Sequence, residues 1–103
     1  MFFNNKKEKE EVKEESYPTR KIIDGILYDT SRAEQLCVFQ ACGYFGLELD
    51  PYGFAILFRG RNGKFFVQHF GKLLPCQYHT AKKILGNENV EKYIEIFGEV
   101  EEA

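Results

Sequence analysis

Cys37, Cys42, Cys76 and His79 carry the strongest metal-ligating chemistry in this 103-residue chain. Together they could complete a tetrahedral Cys₃His zinc site, since C-x₄-C and C-x₂-H spacings are tolerated in such sites. Cys37 and Cys42 lie five apart and would not share a helical face cleanly, and the two-pair pattern usual for structural zinc is missing. The competing reading is three free cysteines used as ordinary core residues. A nucleophilic thiol would require a base and an orienting group within hydrogen-bond reach. No cysteine here follows a glycine-rich turn at a helix start. Asp24 and Asp29 have turn or cap explanations, and Asp50-Pro51 reads as a turn. "GRNG" is too short for a phosphate loop, and no helix follows it. These residues predict neither an enzyme nor a cofactor.

The other candidate is a cationic tip in "FRGRNGKFFVQHF", residues 58–70. Arg59, Arg61 and Lys64 cluster around Asn62-Gly63, with Phe66 and Phe70 close in sequence. Such a tip suits an acidic protein surface, or a nucleic-acid backbone with aromatic rings as a small stacking platform. Charges at a strand edge also protect it from edge-to-edge association, which is the plainer explanation. Arg59 opposite Phe66 would make a local cation–π pair.

The elements that must position these residues follow from patterning. Asn62-Gly63 favours a two-residue type I′ turn. That register pairs Arg59 with Phe66, Phe58 with Val67 and Ile56 with His69. It gives a core face of Phe54, Ile56, Phe58, Phe65, Val67 and His69, and an amphipathic second face of Ala55, Leu57, Arg59, Phe66, Gln68 and Phe70. Asp24-Gly25 suits the same turn type between Ile22-Ile23 and Ile26-Leu27-Tyr28, predicting a small hairpin or one bent strand. Ser31 and Glu34 fit a capping box, predicting a helix that places Ala33, Leu36, Cys37 and Ala41 on one side and ends at Gly43 or Gly46. A second helix starts at His79 or Thr80, turns Ala81, Ile84 and Leu85 inward and stops at Gly86. A third buries Val90, Tyr93, Ile94 and Phe97, spaced i, i+3, i+4, i+7, before Gly98. The expected fold is α+β: a small antiparallel sheet centred on the hairpin and packed against two or three short helices.

Residues 1–16 form a charged arm, disordered or a solvated helix, because Val12 is the one apolar residue between Asn4 and Ser16. Residues 17–98 form a single domain and 99–103 an acidic tail. Across 17–98 ten Lys/Arg face eight Asp/Glu, while the whole chain carries a net charge of −2. A strongly basic nucleic-acid binder is therefore not expected. No signal peptide or membrane-spanning run is visible, so a cytoplasmic protein with reduced thiols is expected.

"KIIDGILYDT" resembles the opening K-I-I-x-G-x-x-Y-[DN]-T of a family of small, functionally uncharacterised proteins encoded by phages and other mobile elements, mainly in Firmicutes. "LFRGRNGKFFV" is similar to that family's LY-x-x-x-x-G-x-[YWF]-F-L hairpin, "LLPCQYHTAKKIL" to its I-x-P-L-[ST]-x-x-x-A segment, and "YIEIFGEVEE" to its closing stretch. The resemblance spans roughly residues 21–102. It departs where relatives carry a GEGG-like segment after the hairpin, here "HFGK", and where they have a longer insertion before the proline. The resemblance implies a mobile-element context and action on host defence. The function expected is a non-enzymatic protein-binding module, an inhibitor of a host defence system of the anti-CRISPR kind. Its partner would be a host protein or complex in the bacterial cytoplasm, with Arg59, Arg61, Lys64 and Phe66 as binding residues. A small nucleic-acid-binding accessory protein and a small zinc-stabilised domain are the alternatives. A homodimer through the hairpin's second face is also open, and no membrane is involved.

Overall fold

In the computed structural model, which describes residues 19–42, 52–98 and 100–103, the fold is α+β with two antiparallel sheets and two helices. The charged arm at 1–16, and Gly43 and Gly46, lie outside the described residues. The first sheet is a small hairpin, one of the two expected alternatives, formed by β1 (Arg20–Ile23) and β2 (Ile26–Asp29). Ile23 pairs with Ile26, and the intervening Asp24 and Gly25 have φ of 52° and 78°. Two successive positive φ values define the type I′ turn, which an aspartate–glycine dipeptide tolerates. Thr30 closes the open end of this hairpin: its backbone N–H donates to the Thr19 carbonyl at 3.0 Å, and its Oγ1 accepts from the Thr19 N–H at 2.9 Å.

The second sheet has the strand order β3-β4-β5-β6, formed by Glu34–Gln40, Phe54–Arg59, Phe65–His69 and Lys72–Cys76. β3 corrects the expected helix. The helical turn begun at Thr30 is a single 3₁₀ turn, Thr30–Arg32, capped by Asp29, and the chain then extends. A bulge sets Gln35 opposite Phe58 and Cys37 opposite Leu57, with Leu36 the extra residue. A bulge puts one additional residue against the same partner. Leu36 and Phe39 thereby enter one core cluster at an i, i+3 spacing that imitates a helix. β6 was not expected at all. It sits at the sheet edge, where Pro75 has no ladder hydrogen bond to lose on its open side.

The central hairpin forms, but one residue out of the predicted register. Arg59 pairs with Phe65, Phe58 with Phe66, Leu57 with Val67 and Ile56 with Gln68. The cause is a three-residue loop. Gly63 N–H donates to the Gly60 carbonyl at 3.0 Å, and Gly60 N–H donates to the Lys64 carbonyl at 2.8 Å. Gly63 takes φ of 85°, and Asn62 Oδ1 accepts from the Lys64 N–H at 3.0 Å. A type I turn followed by a left-handed glycine is the other loop that an Asn-Gly dipeptide serves. The slip exchanges face partners: Ala55 and Leu57 now share a side with Phe65 and Val67, while Ile56 and Phe58 share the other with Phe66.

Neither face of β4 and β5 is left open. On one side, Leu36, Phe39, Ala55, Leu57, Phe65, Val67 and Cys76 pack against Ala81, Ile84 and Leu85 of α1 (Tyr78–Glu88). On the other, Ile56, Phe58, Phe66 and Leu73 pack against Tyr28, with Ile23, Ile26 and Ala33 at the margin. A strand buried on both faces reads as a continuous apolar run, which "FAILF" shows.

α1 turns inward the three residues expected of it, but it starts after Gln77 and runs through Gly86 to Glu88, so His79 is not its cap. α2 (Val90–Phe97) also forms, and Gly98 ends it with φ of 99°. Its inward residues are Tyr93, Ile96 and Phe97, whereas Val90 and Ile94 are exposed, which corrects the expected core face. Asn89 joins the two helices. Its side-chain oxygen accepts from the Lys92 N–H at 3.2 Å, and its Nδ2 donates to the Leu36 carbonyl at 3.0 Å, satisfying a backbone group at the bulge. No helix among the described residues is long and apolar enough to cross a membrane.

Candidate functional site

The β4–β5 loop carries Arg61 and Lys64 into solvent, as expected of a tip. It faces the end of β2 and the 3₁₀ turn, and between them lies a cleft of about 300 Å³. The cleft is lined by Arg61, Asn62 and Lys64 of the loop, by Ile26, Leu27, Tyr28 and Asp29 of β2, by Arg32 and Ala33, and by the apolar Phe66. A second hollow, which shares Arg32 and Arg61 with it, is also lined by Glu34, Arg59 and Gly63. Arg32 is the residue that sequence reasoning missed. Nothing in its neighbourhood marks it, because it reaches the tip only through the pairing of β3 with β4, which sets Glu34, two residues on, opposite Arg59.

Arg59 has a different role from the one expected. Its guanidinium donates to Glu34 Oε1 at 2.9 Å across the β3–β4 pair, and Lys92 Nζ reaches the other carboxylate oxygen at 2.7 Å. Hydrogen bonds from Lys92 and then Arg59 hold the Glu34 carboxyl below its ordinary range. Glu34 in turn raises the Lys92 ammonium. Arg59 is therefore committed to an intramolecular network that ties β3, β4 and α2 together, and it does not stack on Phe66. Exposed ion pairs of this kind add little stability, so the network serves mainly to orient its members.

Phe66 is buried between Phe58 and Tyr28 and reaches the surface only where it lines the cleft, so it is not an exposed stacking ring. Phe70 is exposed but sits in the β5–β6 turn, at the other end of β5 from the cationic loop. The aromatic platform expected beside the cations is thus not assembled. Asp29 also lines the cleft, ionised. The Ser31 hydroxyl, donating at 2.7 Å, and the Ser31 N–H, at 3.0 Å, lower its carboxyl against the opposing effect of burial.

The four candidate zinc ligands are not brought together. Cys37 lies on β3 and Cys76 on β6, at opposite edges of the sheet, while Cys42 and His79 are exposed. Among the described residues, no group of three or more His, Cys, Asp or Glu stands where it could hold a metal ion. Burial pushes the Cys37 and Cys76 thiols up to about 12, with Glu88 adding to the effect at Cys37. A thiol so raised is protonated at neutral pH and is neither a good ligand nor a good nucleophile. At pH 8, Cys42 should react promptly with a chromogenic disulfide reagent, half-buried Cys37 more slowly, and Cys76 only after denaturant is added. Rapid release of all three equivalents from the folded protein would contradict this burial.

Compared with protein-family models, curated proteins and solved structures, the chain matches none.

Proposed function

We propose that this chain is a non-enzymatic protein-binding module of a phage or other mobile element, and that it grips an acidic host protein with the cleft. The observation that carries this reading is the convergence of Arg61 and Lys64, from one loop, with Arg32, from a separate element, around an apolar floor. Cations held on a folded scaffold lose little entropy on binding, so they make better anchors than flexible charges. One feature favours a protein over a nucleic acid. The net charge of −2 opposes a polyanion, because phosphate neutralisation dominates nucleic-acid affinity. Inhibition of a host defence system, of the anti-CRISPR kind, is the role that the family resemblance implies.

Reversing Arg61 and Lys64 to Glu should leave the fold intact and abolish capture of the partner from host lysate. Capture by the unaltered chain should survive nuclease treatment. Loss of the partner on nuclease treatment, with affinity falling log-linearly with salt, would assign the cleft to nucleic acid. An unaltered set of partners after the double reversal would reduce the tip to edge protection.

A further inference from the structure

We infer, on the reading that the cleft takes a protein, that the segment it takes is an extended acidic peptide, which adds as a third strand to the free edge of β2. The argument begins at the type I′ turn. Ile23 and Ile26 close that turn and form a hydrogen-bonded pair, and antiparallel pairs alternate between bonded and non-bonded. Lys21 and Tyr28 are then bonded, while Ile22–Leu27 and Arg20–Asp29 are not. The backbone N–H and C=O of Leu27 and the N–H of Asp29 therefore point away from β1, while the Asp29 carbonyl, at the cap of the 3₁₀ turn, accepts within that turn. Among the described residues no strand pairs with that side of β2. Both residues line the cleft, and Leu27 is 47% exposed.

A donor and an acceptor on Leu27, with a further donor two residues later on Asp29, match the backbone of an extended peptide. A sugar–phosphate chain offers no such alternation. The two edges of the four-stranded sheet are managed differently, and β1 contributes no residue to the cleft. β6 carries Lys72 and Pro75, which discourage strand addition. β3 is bulged, and its Leu36 carbonyl is already taken by Asn89. The β2 edge has neither device.

Charge complementarity sets the class of peptide. Alternate side chains of an added strand point to one side. The cleft that Leu27 and Asp29 line is also lined by Arg61, Lys64 and Arg32, which brings three cations within reach of those side chains. The one carboxylate on the β2 wall, Asp29, is occupied by Ser31. Acidic side chains alternating with apolar ones fit both the cations and the apolar floor.

The test uses the full chain and four synthetic probes. They are the peptide Glu-Val-Glu-Val-Glu-Val with blocked ends, its Lys-for-Glu counterpart, and two N-methylated forms of the acidic peptide. One form is methylated at the odd residues and the other at the even residues. Fluorescence anisotropy should show binding of the acidic peptide at or below millimolar concentration, and no binding of the basic one. One methylated frame should lose at least about tenfold in affinity and the other should keep it, because only alternate N–H groups face β2. The Leu27 and Asp29 amide resonances should shift most. Equal affinity of both methylated frames would overturn strand addition while leaving acidic recognition by the cleft standing. Failure of the acidic peptide to bind, or dimerisation of the chain through this edge in solution, would also overturn the inference. Loss of partner capture on reversing Arg61 and Lys64 tests the underlying reading separately.

Discussion

Phe66→Ala should destabilise the folded chain by about 3–5 kcal/mol, the range for deleting a fully buried aromatic ring. Phe66 is 1% exposed. Its ring stacks on Phe58 at 5.3 Å and meets the edge of Tyr28 at 5.2 Å, so it joins the four-stranded sheet to the β1–β2 hairpin. Aromatic pairs in these geometries add to what area burial alone supplies. A domain of this size is stable by about 5–15 kcal/mol in total, so the substitution should remove a large share. Urea denaturation of the purified variant measures it. Phe66→Leu keeps the site apolar and should cost much less, leaving a folded protein. A loss below about 0.5 kcal/mol in Phe66→Ala, the range of surface substitutions, would mean that the hairpin does not cover this face of the sheet.

That expectation reverses the one drawn from patterning, where Phe66 was a contact residue, and the reversal has a single origin. Asn-Gly serves both a two-residue type I′ turn and the three-residue loop found here, and the two differ by one residue of register. Binary patterning normally arbitrates between registers, because a slip would expose the core face. It cannot do so where both faces are apolar, and "FAILF" paired with "FFV" has no polar face to place outside. The hairpin and its cationic tip were therefore legible, but the sides of its strands were not. Asp24-Gly25 was read correctly because the turn dictates the geometry with little help from the rest of the fold.

β3 failed for a related reason. Ser31 and Glu34 supply helix-start chemistry, and the bulge at Leu36 breaks the period-two alternation that would have marked a strand. Pairing with β4 overrides the local preference, as tertiary context does for weak propensities. The site was half legible in the same sense. Arg61 and Lys64 are local to their turn and were identified. Arg59 is withdrawn by Glu34, 25 residues away in sequence, and Arg32 is delivered by the same β3–β4 pairing, which sets Glu34 opposite Arg59. Contacts of that separation leave no mark on a local pattern.

The second large effect separates the two helices. Ile84→Ala and Leu85→Ala should each cost about 2–5 kcal/mol, whereas Val90→Ala and Ile94→Ala should stay within about 0.5 kcal/mol. Ile84 and Leu85 are fully buried beneath β4 and β5, while Val90 is 53% and Ile94 40% exposed. The spacing Val90, Tyr93, Ile94, Phe97 describes an apolar stripe on α2, but only its Tyr93–Phe97 side, together with Ile96, reaches the core. α2 is held there by ring contacts, Phe97 to Phe65 at 5.9 Å and to Tyr78 at 5.1 Å. Lys82 of α1 adds a charge over the Tyr78, Tyr93 and Phe97 rings, 5.6–5.9 Å from their centres. These contacts bury no α2 residue completely, so the helix should open locally at lower free energy than α1 and the central strands. Native-state hydrogen exchange should show it directly, with α2 amides exchanging ahead of global unfolding and α1 amides at Ile84 and Leu85 exchanging with it. If Ile94→Ala proves as costly as Ile84→Ala, or the α2 amides are protected to the global limit, then α2 packs through the stripe its sequence advertises and the face described here is wrong.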